Sequence, residues 1–160
     1  MDMKRIATVM LFFVMLFLGA SLDTASAKWY FSSHTNVFDD TETAYAYAMS
    51  GAGGSPIAVK CKENNLQVMI SKSLHEAAGP TVKVRFRFDK KPTVETHFEW
   101  AQDISSAVLS GESAINFSKN LMNHDFLIIQ IGGANEVVEE YSLRGAAETV
   151  GRALSKCNMT

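Results

Sequence analysis

Six charged or titratable side chains recur at every second position of two neighbouring segments: Lys83, Arg85 and Arg87 in the first, Glu95, His97 and Glu99 in the second. Alternation of period two places each trio on one face of a β-strand. Brought together, the trios form either a hydrated ladder of cross-strand ion pairs or a charged face that docks a partner protein or a glycan. Hydrolysis by paired carboxyl groups is disfavoured. Glu95 and Glu99 are the nearest carboxylates on one strand face, and their basic neighbours keep both ionised instead of raising one as an acid.

Other chemistries find weaker footing. His34, His75, His97 and His124 are scattered with no HxxxH or HExxH pair, so no zinc site is expected. Asp39, Asp40 and Glu42 supply too few regularly spaced oxygens for a calcium loop and read as a solvated turn. No serine lies in a GxSxG setting, and the glycines at 51, 53 and 54 lack the continuation of a phosphate-binding loop. No catalytic residue and no cofactor is therefore expected. The two cysteines, Cys61 and Cys157, have no CxxC spacing and no local activating base. In an oxidising compartment such a pair reads as a disulfide, the alternative being a reactive thiol.

The elements that must position these groups are mostly strands. Trp29, Tyr30 and Phe31 open a first strand, and a turn at Asp39-Asp40-Thr41 leads into a second over 42–49. Residues 57–71 read as a hairpin with an Asn64-Asn65 turn, which sets Cys61 opposite Val68 and Val59 opposite Ile70. Its apolar face is Ile57, Val59, Cys61, Leu66, Val68 and Ile70, so Cys61 points inward. In the charged hairpin, Val82, Val84, Phe86 and Phe88 alternate with the basic trio, and Val94, Thr96, Phe98 and Trp100 with the other trio. A loop through Lys90, Lys91 and Pro92 predicts Arg87 opposite Glu95, Arg85 opposite His97, Lys83 opposite Glu99 and Val82 opposite Trp100.

Residues 102–122 are mixed, with a short helix expected over 118–122 after a loop at Gly111-Glu112. The apolar run 126–131 suits a buried strand, 132–135 a turn, and 137–143 a returning strand. The period then changes. Ala146, Val150, Ala153, Leu154 and Cys157 fall at helical spacing, with Glu148 near the start and Arg152 and Lys156 near the end, as the helix dipole prefers. Cys157 ends that buried stripe, within reach of the strand that carries Cys61. The fold class is mainly β (α+β): an antiparallel sheet or sandwich with a C-terminal helix and one disulfide.

Lys4 and Arg5, the apolar run 6–18 and the small residues Ala25-Ser26-Ala27 form a secretory signal peptide over 1–27. The run is shorter than the ~20 residues that span a bilayer, so no membrane span is expected after cleavage. Residues 28–160 make a single domain. A formal charge of −2, with no basic run, argues against nucleic acid as a partner. A periplasmic or secreted location follows.

Several marks occur together: Trp29 after the cleavage point, Asp39-Asp40, Val59-Lys60-Cys61 with Leu66-Gln67-Val68, the segment Val84-Arg85-Phe86-Arg87-Phe88-Asp89, Trp100, and Tyr141-Ser142-Leu143-Arg144-Gly145-Ala146 before the helix ending at Cys157. Their order resembles the VasI/TagO-like exported proteins encoded with bacterial type VI secretion systems. The resemblance implies a periplasmic accessory protein that binds a cell-envelope partner without catalysis. The competing expectation, from the size and rigidity of the domain, is an inhibitor of an envelope hydrolase such as lysozyme.

Overall fold

The computed structural model describes residues 28–51, 54–71, 79–101, 105–132 and 137–159. The leader over 1–27, His75, part of the glycine-rich loop and most of the turn at 132–135 lie outside the described residues.

Among the described residues nine strands run in chain order as β1 (Tyr30–Thr35), β2 (Glu42–Met49), β3 (Pro56–Lys62), β4 (Asn65–Ser71), β5 (Thr81–Phe88), β6 (Val94–Trp100), β7 (Ser106–Ser110), β8 (Phe126–Ile131) and β9 (Val137–Ser142). Helix α1 (Gly111–Asn123) joins β7 to β8, and α2 (Ala146–Lys156) follows β9. All strands belong to one sheet, in the order β1-β2-β3-β4-β7-β6-β5-β8-β9, and every neighbouring pair is antiparallel. The fold is thus mainly β with a C-terminal helix, built as one continuous sheet.

Period two decides which face is buried. Ile57, Val59, Cys61, Leu66, Val68 and Ile70 are each no more than 2% exposed, and Leu127, Ile129 and Ile131 join them from β8. Both helices lie on this inner face. Helix α1 buries Ala114, Phe117, Ser118 and Leu121, a single stripe at helical spacing, against β4, β7 and α2. Helix α2 buries Ala146, Thr149, Val150, Ala153 and Leu154 against β1, β2 and β3.

The sheet curls until its last strand meets Trp29, just before β1, and the connection between β2 and β3. The Trp29 indole N–H donates to the Ser142 carbonyl (2.9 Å), and the Gly51 N–H donates to the Glu140 carbonyl (3.0 Å). The buried Tyr141 hydroxyl donates to the Ser55 carbonyl (2.8 Å), and Ser55 Oγ donates to Glu139 Oε1 (3.1 Å). Burial, and then the charge of Glu139, pushes the Tyr141 hydroxyl well above its usual pKa, so it remains a donor. Glu139 reaches so far into the loop that a Cβ on Gly54 would lie 2.8 Å from its Oε1.

Cys61 and Cys157 form a disulfide, with Cα atoms 5.7 Å apart. Inward parity on β3 and a position capping α2 bring the two sulfurs together, so the helix is tied to the sheet at its C-terminal end.

Both hairpin registers differ from expectation by two residues. In the first, Cys61 faces Leu66, Val59 faces Val68, and the turn is Glu63-Asn64, both residues having positive φ (51° and 60°). Such a left-handed pair makes a two-residue turn whose twist matches that of the flanking strands. In the charged hairpin, Arg85 faces Glu95, Lys83 faces His97, Val82 faces Phe98, and Glu99 faces Thr81. Trp100 pairs with Ala107 of β7 instead of Val82. Even-numbered slips keep every side chain on its face, so alternation cannot detect them.

Asp89 accounts for the second slip. Its N–H donates to the Phe126 carbonyl, and its Oδ1 accepts from the N–H groups of Asp125 (3.0 Å) and Phe126 (2.9 Å). His124 Nδ1 donates to its Oδ2 at 2.8 Å. These bonds commit the end of β5 to β8, where Arg87 pairs with Ile128, and leave 87–93 unpaired with β6. Hydrogen bonding from the Phe126 N–H, joined by bonds from His124 and Asp125, holds the Asp89 carboxyl below its usual pKa. A depressed folded-state pKa contributes stability that is complete above the unfolded value of ~3.9 and is lost as pH falls through the folded value. Asp89→Asn is therefore expected to unfold at lower urea concentration near neutral pH, with the difference from wild type shrinking towards about pH 3. A difference that stays constant across that range would contradict this role for the carboxylate.

One strand goes beyond the expected elements, and one expected helix is longer. Strand β7 lies within the mixed stretch, and α1 begins at Gly111 instead of position 118. Gly111 has φ +66°, which lets the chain pass from β7 to α1 with no intervening loop.

Candidate functional site

The outer face of β6 and β5 carries all six residues of the expected cluster. Lys83 Nζ lies 2.8 Å from Glu95 Oε1, and Arg85 Nε lies 4.0 Å from Glu95 Oε2. Register explains the sharing: Arg85 is directly opposite Glu95, while Lys83 reaches it along the diagonal. A hydrogen bond from Lys83, reinforced by the charges of Lys83, Arg85 and His97, holds the Glu95 carboxyl below its usual pKa. Glu95 therefore stays ionised and makes a poor general acid. The ladder is local. Glu99 sits opposite Thr81, and Arg87 lies beyond the β6 pairing, next to β8.

Arg87 makes no ion pair among the described residues. Together with Arg85, Thr93, Ile128, Gln130 and Val138 it lines an open groove of about 160 Å³. Arg85 Nη1 donates to Gln130 Oε1 at 3.3 Å, which steadies one guanidinium at the rim. Ile128 and Val138 supply an apolar floor, and Val138 is 57% exposed.

Ile128 also borders a second, wider depression of about 590 Å³, lined by Asp89, Lys90, Asp125, Phe126, Leu127 and Glu140. Phe126 stands there 59% exposed. The outer face thus runs from a cationic groove, across an apolar strip, to an acidic depression. Arginine, exposed apolar side chains and carboxylates thus lie side by side on one face.

The apolar strip was hidden in the sequence. The run 126–131 reads as a strand buried on both faces, whereas only Leu127, Ile129 and Ile131 are buried. Gln130, at an alternate position, is the one residue that betrays a solvent face. Tyr45 and Tyr47, on β2, lie apart from the charged surface. Strands β3, β4 and β7 separate β2 from β6, roughly 19 Å along the sheet. Tyr47 stacks on Tyr30 (5.5 Å), and Lys60 lies over Tyr45 (5.9 Å).

The remaining titratable candidates are spread out. His34 is on β1, His97 on β6, and His124 is held between Asp89 and Lys91, whose Nζ donates to Nε2 at 3.1 Å. Among the described residues no three His, Cys, Asp or Glu side chains are placed to hold a metal ion, and no helix is long and apolar enough to cross a membrane. Comparisons with protein-family models, curated proteins and solved structures give no match.

Proposed function

We propose that the chain is an exported, non-catalytic accessory protein of the bacterial cell envelope that binds a partner protein through the outer face of β5, β6, β8 and β9. The observation that carries this reading is the placement of Arg85 and Arg87 over the Ile128–Val138 floor of an open groove. Arg87 is not neutralised within the described residues, so its guanidinium is available for a carboxylate or an aromatic ring. Export is supported by the leader-like first 27 residues and by a disulfide compatible with an oxidising compartment. The order of marks shared with VasI/TagO-like proteins supports a type VI secretion-associated role.

Reversing both charges, Arg85→Glu with Arg87→Glu, tests the face. Both side chains are on the solvent side of β5, so the thermal midpoint of the doubly substituted protein is expected to stay close to wild type. Capture of a defined envelope protein, identified by mass spectrometry, is expected to fall at least about tenfold. Unchanged capture, retention on purified cell-wall glycan alone, or inhibition of lysozyme that survives the reversal would overturn the proposal.

A further inference from the structure

The tip of the β1–β2 hairpin, residues 36–41, is a built projection. The Asn36 N–H donates to the Thr41 carbonyl and the Asp40 N–H to the Asn36 carbonyl, each at 2.9 Å. The Phe38 N–H donates to Asn36 Oδ1 and the Thr41 N–H to Asp39 Oδ1, each at 3.0 Å. On this frame Val37 is 81% exposed and Phe38 94%, the two most exposed large apolar side chains among the described residues. A hydrogen-bonded turn that holds a phenyl ring in water is pre-organised for docking, since little ordering remains to be done on contact. Two carboxylates, Asp39 and Asp40, follow the ring. They oppose insertion into an anionic lipid surface and favour a cationic site.

The same chain carries a site of that description. The groove beside Arg85 and Arg87 measures about 160 Å³, close to the ~150 Å³ that accommodates a benzene-sized molecule. Guanidinium groups at its rim are suited both to stacking on a ring and to pairing with a neighbouring carboxylate. An aromatic side chain followed by acidic residues satisfies size and charge together, and 36–41 presents that arrangement.

We propose that the Phe38 tip of one molecule seats in the Arg85–Arg87 groove of a second copy. The inference rests on the reading of that groove as a binding site. Knob and groove are different surfaces, carried by β1–β2 and by β5, β8 and β9, which lie towards opposite ends of the strand order. The contact is heterologous, so each molecule keeps a free knob or a free groove, and assembly proceeds head to tail into rings or open chains. Screening of the Asp–Arg attraction weakens it as salt is raised.

The experiment is sedimentation velocity on the mature protein over rising concentration. Wild type is expected to grow past the dimer, whereas Phe38→Ser and Arg87→Glu each raise the dissociation constant at least about tenfold. Phe38→Ser lacks the knob and keeps the groove, and Arg87→Glu does the reverse. Mixed in equal amounts, they are expected to form a one-to-one heterodimer and stop there. A wild type that remains monomeric to about 1 mM, or growth indifferent to both substitutions, would overturn the proposal. So would co-flotation of monomeric wild type with phosphatidylglycerol vesicles that Phe38→Ser abolishes, since that assigns the tip to lipid. Loss of envelope capture on arginine reversal, with wild type monomeric, would leave the binding face standing and remove only the second copy as its occupant.

Discussion

Replacing Cys61 and Cys157 by serine is expected to destabilise the domain by about 2–5 kcal/mol, the upper end being the chain-entropy figure of about 4.7 kcal/mol for a loop near 100 residues. The bridged residues are 96 apart in sequence, so the bond removes a large share of the unfolded chain's conformations. It also fixes where α2 ends on the sheet. Lys156 Nζ, one residue before the bridge, pairs with Glu42 Oε1 at 2.7 Å, and the Asn158 side chain donates to Asn64 Oδ1 at 2.9 Å. Those contacts are exposed and weak, so they cannot replace the covalent tie. In urea the midpoint is expected to fall by roughly 1–2 M, with an increased m-value because the uncrosslinked chain exposes more surface. A midpoint unaffected by the double substitution would show that the bridge constrains nothing the core does not already hold.

The second large effect is expected at Phe117. Helix α1 sets this ring into an edge-to-face cluster with Phe86 (4.9 Å between centroids), Phe88 (5.3 Å) and Phe98 (6.4 Å). Phe117 is 3% exposed, and the rings around it belong to β5 and β6, so truncation leaves a cavity that rigid strands cannot fill. Phe117→Ala is expected to cost about 3–5 kcal/mol, a sizeable part of the roughly 5–15 kcal/mol that holds a domain of this size together. Phe126→Ala, at a ring that is 59% exposed, serves as the control and is expected to change stability by less than about 0.5 kcal/mol. Equal effects at the two positions would contradict the assignment of inner and outer faces.

The same cluster explains how far the fold was legible. Alternation in 82–88 and 94–100 placed Phe86, Phe88 and Phe98 on the inner side, and the structure keeps them there. The sequence predicts only residues 118–122 of the helix that supplies Phe117. Asn116, Asn120 and Asn123 are poor helix formers, and Asn120 and Asn123 donate to carbonyls one turn back, bonds that compete with the helical ladder. Burial of Ala114, Phe117 and Leu121 outweighs their low propensity.

Partners across strands were harder to read than faces. A shift of two residues leaves the hydrophobic pattern intact, and what selects the register is backbone chemistry: positive φ at Glu63 and Asn64, and the hydrogen bonds of Asp89 to the start of β8. The disulfide escaped this ambiguity. Its reading needed only the inward parity of Cys61 and the position of Cys157 on a helical stripe, both of which are local.

The candidate site divides along the same line. Lys83, Arg85 and Glu95 are joined by a short hairpin, so their proximity was visible in the spacing. Ile128, Gln130 and Val138 reach Arg87 only because β5 pairs with β8, some forty residues later in the chain. Nothing in the composition of 126–131 announces that neighbour. The exposed Phe38 likewise follows from turn geometry, where Asn36 and Asp39 direct their side chains to the backbone and leave the ring outward.

Export and oxidation underlie the proposed envelope role, and intact-mass analysis of the protein recovered from a bacterial envelope fraction tests them together. The recovered chain is expected to begin at Lys28, to take up no alkylating reagent until it is reduced, and then to take up reagent at both Cys61 and Cys157. A chain that retains its first 27 residues and is alkylated at both cysteines without reduction would contradict export and oxidation.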